Sequence, residues 1–238
     1  MRQSKNIAII LSGGVGNRMG TNIPKQYIKV GGKPVISYCL KTFLQHEDVH
    51  SLVIVVADEW KEYVKNQVHL IGELKPVFYA IPGETRQLSI FNGLKEAEIQ
   101  GTKSDDVVIV HDAARPLVSP ELISRCIAGC QHAEGVMPVL PVKDTTYYSK
   151  DGRHIDSLLE RKCLWAGQAP EAFVFGKYLD AHETCGFDGL MKIVGSTELA
   201  YKSGMKCEMT EGDPMNFKIT TPDDLQLFQS IILKTSKR

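Results

Sequence analysis

What this sequence has least of is net charge: 28 lysines and arginines stand against 28 aspartates and glutamates. A balanced chain has no overall field with which to gather nucleic acid or an acidic membrane, so an anion site has to be built locally. Long apolar runs are missing too. None approaches the roughly 18 residues that a membrane-crossing helix requires, and no membrane partner is expected. The basic and then apolar opening imitates a secretion signal, but its apolar run covers only 7–11 and glycines follow at once. A first buried strand is the better reading. No two of the six cysteines form a Cys-x-x-Cys pair. Cys126 and Cys130, four apart on one helical face, read as small buried hydrophobes. His182 and Cys185 lack the second pair that a metal site would need. Scattered thiols fit a reducing, cytoplasmic setting. Repeats, low-complexity tracts and linkers are absent, so 1–238 is expected to form one unit.

What is present is an alternation. Short apolar runs at 7–11, 52–57, 77–81 and 107–110 are separated by stretches of helical periodicity at 35–45, 58–70 and 85–99. Ser119 and Pro120 open a further helix, and 135–141 is strand-like. From Pro170 the pattern reads as helical again. Thr221, Pro222 and Asp224 start a last helix as cap, first residue and facing acid. Fully apolar strands alternating with helices predict an α/β fold in three layers, with a mostly parallel Rossmann-like sheet covered on both faces. The segment at about 142–165 is different. It is more polar and holds the turn signal Lys150-Asp151-Gly152-Arg153, which predicts a projecting β-arm.

The chemistry begins where the first strand ends. Ser12, Gly13, Gly14 and Gly16 let the backbone approach a phosphate closely. The loop is not a P-loop, because no Gly-Lys-Ser/Thr follows. It is a poor dinucleotide fingerprint as well. Met19 stands where a third small residue belongs, no acid ends a strand about 20 residues on, and no Tyr-x-x-x-Lys pair occurs. A nicotinamide-dependent oxidoreductase is therefore disfavoured. Arg18 inside the loop and Lys25 just after it turn the glycines into a candidate triphosphate cradle. Asp112 ends the fourth apolar run, where α/β sheets keep their ligands. It suits Mg²⁺, a ribose or a substrate hydroxyl, and Arg115 suits a phosphate. The plainer alternative is an Asp–Arg pair that fixes the loop.

Taken in order, GGVGNRM, PKQY, GETRQLSIFNGL, VHDAARP and NFKIT resemble the cytidylyltransferases that make CDP-polyols, over nearly the whole chain. That family includes enzymes for 2-C-methyl-D-erythritol 4-phosphate and for ribitol 5-phosphate. The resemblance implies a nucleotidyltransferase sheet and a homodimer held by the arm. It implies CTP and a polyol phosphate as substrates, with Mg²⁺ or another divalent cation whose ligands it does not name. Arg18, Lys25 and Lys218 match the active-site cations. Ser12, Gly13, Gly14, Gly16, Gly83, Glu84, Ser89 and Ala113 match the nucleotide side. Asp112, Arg115, Thr145 and Arg161 match the acceptor side, Arg161 completing the site of a neighbouring subunit.

Two segments depart from the family pattern. Ala169-Pro170-Glu171 stands where the family often has Thr-Pro-Gln, and Ile193-Val194-Gly195-Ser196-Thr197-Glu198 stands where the enzymes for methylerythritol phosphate usually carry a Thr-Asp-Glu type of run. Both belong to the polyol side, so the acceptor stays open between the two phosphates. The alternatives are another sugar or alditol phosphate, or a non-catalytic nucleotide-binding relative. The chemistry needs no general base, because the attacking phosphate, with a second pKa of about 6, is already largely dianionic. His111 is accordingly expected to be structural.

Overall fold

The computed structural model describes residues 4–14, 23–72 and 74–235. From the N-terminus, β1 (Asn6–Leu11) is followed by a small ribbon of β2 (Lys29–Val30) and β3 (Lys33–Pro34), then α1 (Val35–Gln45) and β4 (Ser51–Val55). Next come α2 (Asp58–Ile71), β5 (Val77–Ala80), α3 (Arg86–Ile99), β6 (Val107–Asp112), α4 (Pro120–Gly129) and β7 (Gly135–Pro141). A second ribbon joins β8 (Tyr147–Tyr148) to β9 (Ser157–Leu158). The chain continues through β10 (Trp165–Gly167), β11 (Glu171–Val174), α5 (Phe175–Leu190), α6 (Ser196–Lys202), β12 (Cys207–Glu211) and α7 (Pro222–Thr235).

The main sheet has the order β10-β7-β11-β6-β1-β4-β5, with β12 alongside β7. Strands β6, β1, β4 and β5 are parallel neighbours, whereas β11 runs antiparallel to both β6 and β7. The mostly parallel α/β sheet expected from the sequence is the one observed.

Alternation along each strand explains why the runs are apolar throughout. Ala8, Ile10, Leu52, Ile54 and Ile109 face a core shared with α1, α2 and α4. Ile7, Ile9, Val53, Val55, Val108 and Val110 face the opposite core, shared with α3, α5 and α6. A strand buried on both faces has no polar positions to alternate with. The same parity puts Asp112 on the α3/α5/α6 face and His111 on the other, where its ring lies 5.0 Å from that of Phe43.

Two expectations change. The stretch after Pro170 does not resume as a helix, because β11 intervenes and fills the gap between β6 and β7 before α5 begins at Phe175. A four-residue segment takes its state from the two open strand edges it joins rather than from its own propensity. Strand β12 was not anticipated either; its exposed, mixed residues pair along β7. The turn at Gly152 does form. Asp151 accepts the N–H groups of Arg153 and His154, each at 2.8 Å, and Gly152 takes φ 70°. The ribbon it closes pairs only Tyr147 with Leu158 and Tyr148 with Ser157. Among the described residues no helix is long and apolar enough to cross a membrane.

Candidate active site

Strand β1 has β4 on one side and β6 on the other, so the connections leaving its carboxyl end diverge there and open a crevice. The glycine loop starts at that point. The Ser12 N–H donates to Val55 O at 2.8 Å, which carries the backbone out beyond the sheet. A Cβ on Gly13 would stand 2.3 Å from Cβ of Pro82. Glycine there lets the loop lie directly against the connection from β5 to α3. Across that connection, the Ser89 hydroxyl accepts from Gly83 N at 3.1 Å and donates to Thr85 O at 2.9 Å. A Cβ on Gly83 would meet Leu88 Cβ at 2.4 Å. Two glycine-containing backbone segments are thus held side by side, with Glu84 exposed at their rim.

Two side chains missed as site residues hold the first of these segments. Gln26, which is buried, donates from Nε2 to Ser12 O at 2.7 Å and to Gly14 O at 2.8 Å. The Tyr27 hydroxyl pairs with Ser12 Oγ at 2.7 Å, and its ring stacks on Trp60 at 4.3 Å. Both belong to the one-turn helix Lys25–Tyr27, so Lys25 is delivered beside the glycine loop by residues anchored to it. Gly16 and Arg18 lie outside the described residues.

The second feature is a charge cluster at the end of β6. Asp112 is 8% exposed and is surrounded by cations. Lys218 Nζ lies 3.0 Å from its Oδ2, Arg115 Nε 3.5 Å from the same oxygen, and Arg86 Nε 3.3 Å from Oδ1. Burial opposes ionisation of Asp112, but Arg86, Lys218 and Arg115 outweigh it and hold the carboxyl well below the usual carboxylate range. Arg115 also donates from Nη1 to Asn216 O at 2.8 Å, and Asn216 Nδ2 donates to Ala169 O at 2.6 Å. The Asn216-Phe217-Lys218 segment is therefore clamped to β6 and to the start of β11. His111 Nε2 pairs with Arg115 O at 3.0 Å, and burial pushes its imidazole down to about 4. It supports the turn after β6.

The structure thus brings Asp112, Arg115 and Lys218 into contact and sets Ser12, Gly13 and Gly14 beside Gly83 and Ser89. Ala113 is buried next to Asp112, and its N–H is taken by Leu11 O at 3.0 Å. Thr145 and Arg161 are not brought to the cluster by contacts within this chain. Both are exposed, and Arg161 Nη1 donates to Lys143 O at 2.9 Å within the arm. Arg86 and Glu171, next to or inside quoted motifs, were missed as site residues. An arginine at the first turn of a helix gives no sequence signal that it reaches a strand end on the other side of the crevice. A cavity of about 1220 Å³ lies among α1, α2 and the start of α4, lined by Lys41, His46, Gln67 and Ser124, and holds none of the charge cluster. A smaller one, about 420 Å³, borders Pro82, Gly83 and Glu84. The convergent polar groups weigh more than volume, and they are at the β1–β6 edge.

A parallel sheet with a glycine loop at its divergence point and a cation-rich strand end beside it defines an α/β protein built to handle phosphate-bearing ligands. Comparison with known proteins narrows this class. The chain belongs to the 2-C-methyl-D-erythritol 4-phosphate cytidylyltransferase (IspD) family, whose model matches residues 6–234. It is 32% identical over 227 residues to a ribitol-5-phosphate cytidylyltransferase of Streptococcus agalactiae serotype III (strain NEM316), covering 95% of each chain. It is 35% identical over 225 residues to the chloroplastic 2-C-methyl-D-erythritol 4-phosphate cytidylyltransferase of Oryza sativa subsp. japonica, covering 94% of this chain and 73% of that one. Among solved structures, the Francisella tularensis 2-C-methyl-D-erythritol 4-phosphate cytidylyltransferase superposes with a TM-score of 0.78 at 28% identity, covering 95% of this chain and all of that one. The family resemblance read from the motifs is the one these comparisons return.

Proposed function

We propose that this chain transfers the cytidylyl group of CTP to a polyol phosphate, giving a CDP-polyol and pyrophosphate. The observation that carries the proposal is the Asp112 cluster, in which three cations gather around one buried carboxylate one strand away from the glycine loop. An oxygen of the acceptor phosphate forms a bond to the α-phosphorus of CTP, and the bond from that phosphorus to the bridging oxygen of the β-phosphate breaks. No proton moves. The difficulty is repulsion between anions, and the remedy is fixed positive charge with positioning.

In this reading Arg18 and Lys25 hold the triphosphate, while Ser12, Gly13, Gly14, Gly16, Gly83, Glu84, Ser89 and Ala113 form the nucleotide side. Lys218 stabilises charge at the reacting phosphates. Asp112 holds Lys218 and Arg115 toward the acceptor, whose polyol is that of methylerythritol 4-phosphate or ribitol 5-phosphate, the two named among the relatives. Mg²⁺ is part of the proposal as an ion that neutralises triphosphate charge. Among the described residues no three His, Cys, Asp or Glu side chains come together to hold it, and both oxygens of Asp112 are engaged by cations. The nucleotide's own oxygens and water suit such an ion. The protein works as one nucleotidyltransferase unit over 1–238 and as a cytoplasmic homodimer, the arm at about 142–165 carrying Thr145 and Arg161 to a second copy.

The test is pyrophosphate release with CTP and Mg²⁺, run in parallel with methylerythritol 4-phosphate, ribitol 5-phosphate and glycerol 3-phosphate. Release with one acceptor establishes the reaction and names the substrate. Silence with all of them, while CTP still binds, overturns transfer to a polyol phosphate.

A further inference from the structure

The two segments that depart from the family pattern, 26 residues apart in sequence, meet in space. Glu171 starts β11 opposite Val110 of β6, so its side chain shares a face with Asp112. It is 7% exposed. Its Oε2 accepts two bonds from Thr197, from the backbone N–H at 3.0 Å and from the hydroxyl at 2.7 Å. Its Oε1 faces Arg86 Nη2 at 3.4 Å. Arg86 is thus occupied on every guanidinium nitrogen: Nε by Asp112, Nη1 by the Ser196 hydroxyl and Nη2 by Glu171. The neighbouring Gln87 donates to Gly195 O at 3.2 Å, and the Tyr178 hydroxyl donates to Ser196 O at 3.3 Å. One buried carboxylate at the start of β11 binds the start of α6 and the start of α3, and Arg86 carries the link on to Asp112 at the end of β6.

The charges decide what this does. Arg86, Arg115 and Lys218 face Asp112 and Glu171, which leaves a single positive charge in excess. Three of the five N–H donors of Arg86 are taken by these partners, which ties its guanidinium to the protein, whereas Lys218 is the most exposed of the three cations and leads in meeting a ligand, with Arg115 beside it on the same carboxylate oxygen. Without Glu171, Arg86 would be drawn wholly to Asp112 and would compete with Lys218 and Arg115 for it. Position matters as well. The glycine loop and the 82–84 connection lie on the β4/β5 side of β1, whereas Glu171 and Thr197 lie beyond β6 on the other side. They border the half of the crevice that the nucleotide loops do not.

We propose that Glu171 and Thr197 form a specificity-determining latch for the acceptor. The carboxylate fixes the start of α6 and balances Arg86, and so sets where Lys218 and Arg115 meet the acceptor phosphate. Both act as positioning residues. The inference rests on the polyol-phosphate reading above and deepens it.

The experiment measures steady-state kinetics of Glu171→Gln, Thr197→Val and the double variant Glu171→Gln/Thr197→Asp, with CTP and each of the two polyol phosphates. Melting temperatures are recorded alongside. Glu171→Gln leaves Arg86 unbalanced, and Thr197→Val removes the hydroxyl. Each is expected to raise KM for the acceptor by about tenfold or more, to leave KM for CTP within about threefold, and to reduce the preference between the acceptors. In the double variant the glutamine amide donates to the new aspartate, so the pair is remade with reversed polarity and its negative charge is kept. Recovery of acceptor KM there separates positioning from a general loss of structure. Uniform loss of kcat with lowered melting and no recovery overturns the latch, and so does an unchanged acceptor KM in an active enzyme. Failure of the wild-type chain with every polyol phosphate overturns the function itself, and the latch with it.

Discussion

At the scale of the residue, the chemistry depends on charges placed by short anchors. Lys25 is set beside the glycine loop because Gln26 and Tyr27, the next two residues, are bound to Ser12 and Gly14. Lys25→Ala should lower turnover on the order of 100- to 1,000-fold, as loss of one preorganised charge-stabilising group does. Its melting temperature should stay at the wild-type value. Pyrophosphate release at saturating substrates measures this, and an unchanged turnover would remove Lys25 from the mechanism. Sequence spacing revealed Lys25 as a candidate because a lysine near a glycine loop has a recognisable meaning. The same spacing was silent about Gln26, since an uncharged amide becomes an anchor only when two carbonyls are folded to within its reach.

At the scale of the element, helix starts do much of the positioning. Thr85 caps α3, its hydroxyl accepting from Leu88 N at 3.2 Å, and Arg86 is the next residue. Thr85→Ala should lower stability by about 1 kcal/mol, read by chemical denaturation, and should raise the acceptor KM because the first turn that carries Arg86 frays. A normal acceptor KM would mean that Arg86 is held by its ion pairs alone. The arm makes a different kind of prediction. Tyr147 and Leu158 are cross-strand partners, and they are 54% and 64% exposed. Large apolar side chains left that open on a two-pair ribbon call for a covering surface. Replacing them together, Tyr147→Asp with Leu158→Lys, should convert the proposed dimer into a monomer in sedimentation equilibrium. A variant that still sediments as a dimer would place the interface elsewhere.

At the scale of the whole molecule, burial ties stability to pH. His111 and His182 are both enclosed, and burial pushes each imidazole down to about 4. In the unfolded chain they take up a proton near pH 6.5. Between those values the unfolded state binds more protons, so stability is complete above about pH 6.5 and falls as pH drops toward 4. The loss is at most roughly 3 kcal/mol for each histidine. Denaturation midpoints at pH 7, 6 and 5 measure it. His182→Phe, which keeps the ring between Phe91 and Tyr178, should flatten the decline by the share of one proton. An unchanged slope would mean that His182 titrates normally. Over the same fold, much was legible before any coordinates. Doubly buried strands have to be apolar throughout and helices have to repeat their apolar residues at helical spacing, so the core strands, α1, α2 and α3 could be read from residue order, and α4 and α7 from the caps at Ser119 and Thr221. Asp112, Arg115 and Lys218 were legible as candidates because each stands in a distinctive motif. Tertiary structure alone decided that Glu171–Val174 is a strand, since a four-residue segment is governed by the edges it meets. It alone joined Arg86, Glu171 and Thr197 to Asp112. A buried charge is tolerated only where its partners are, and those partners come from four elements that touch only after the chain has folded.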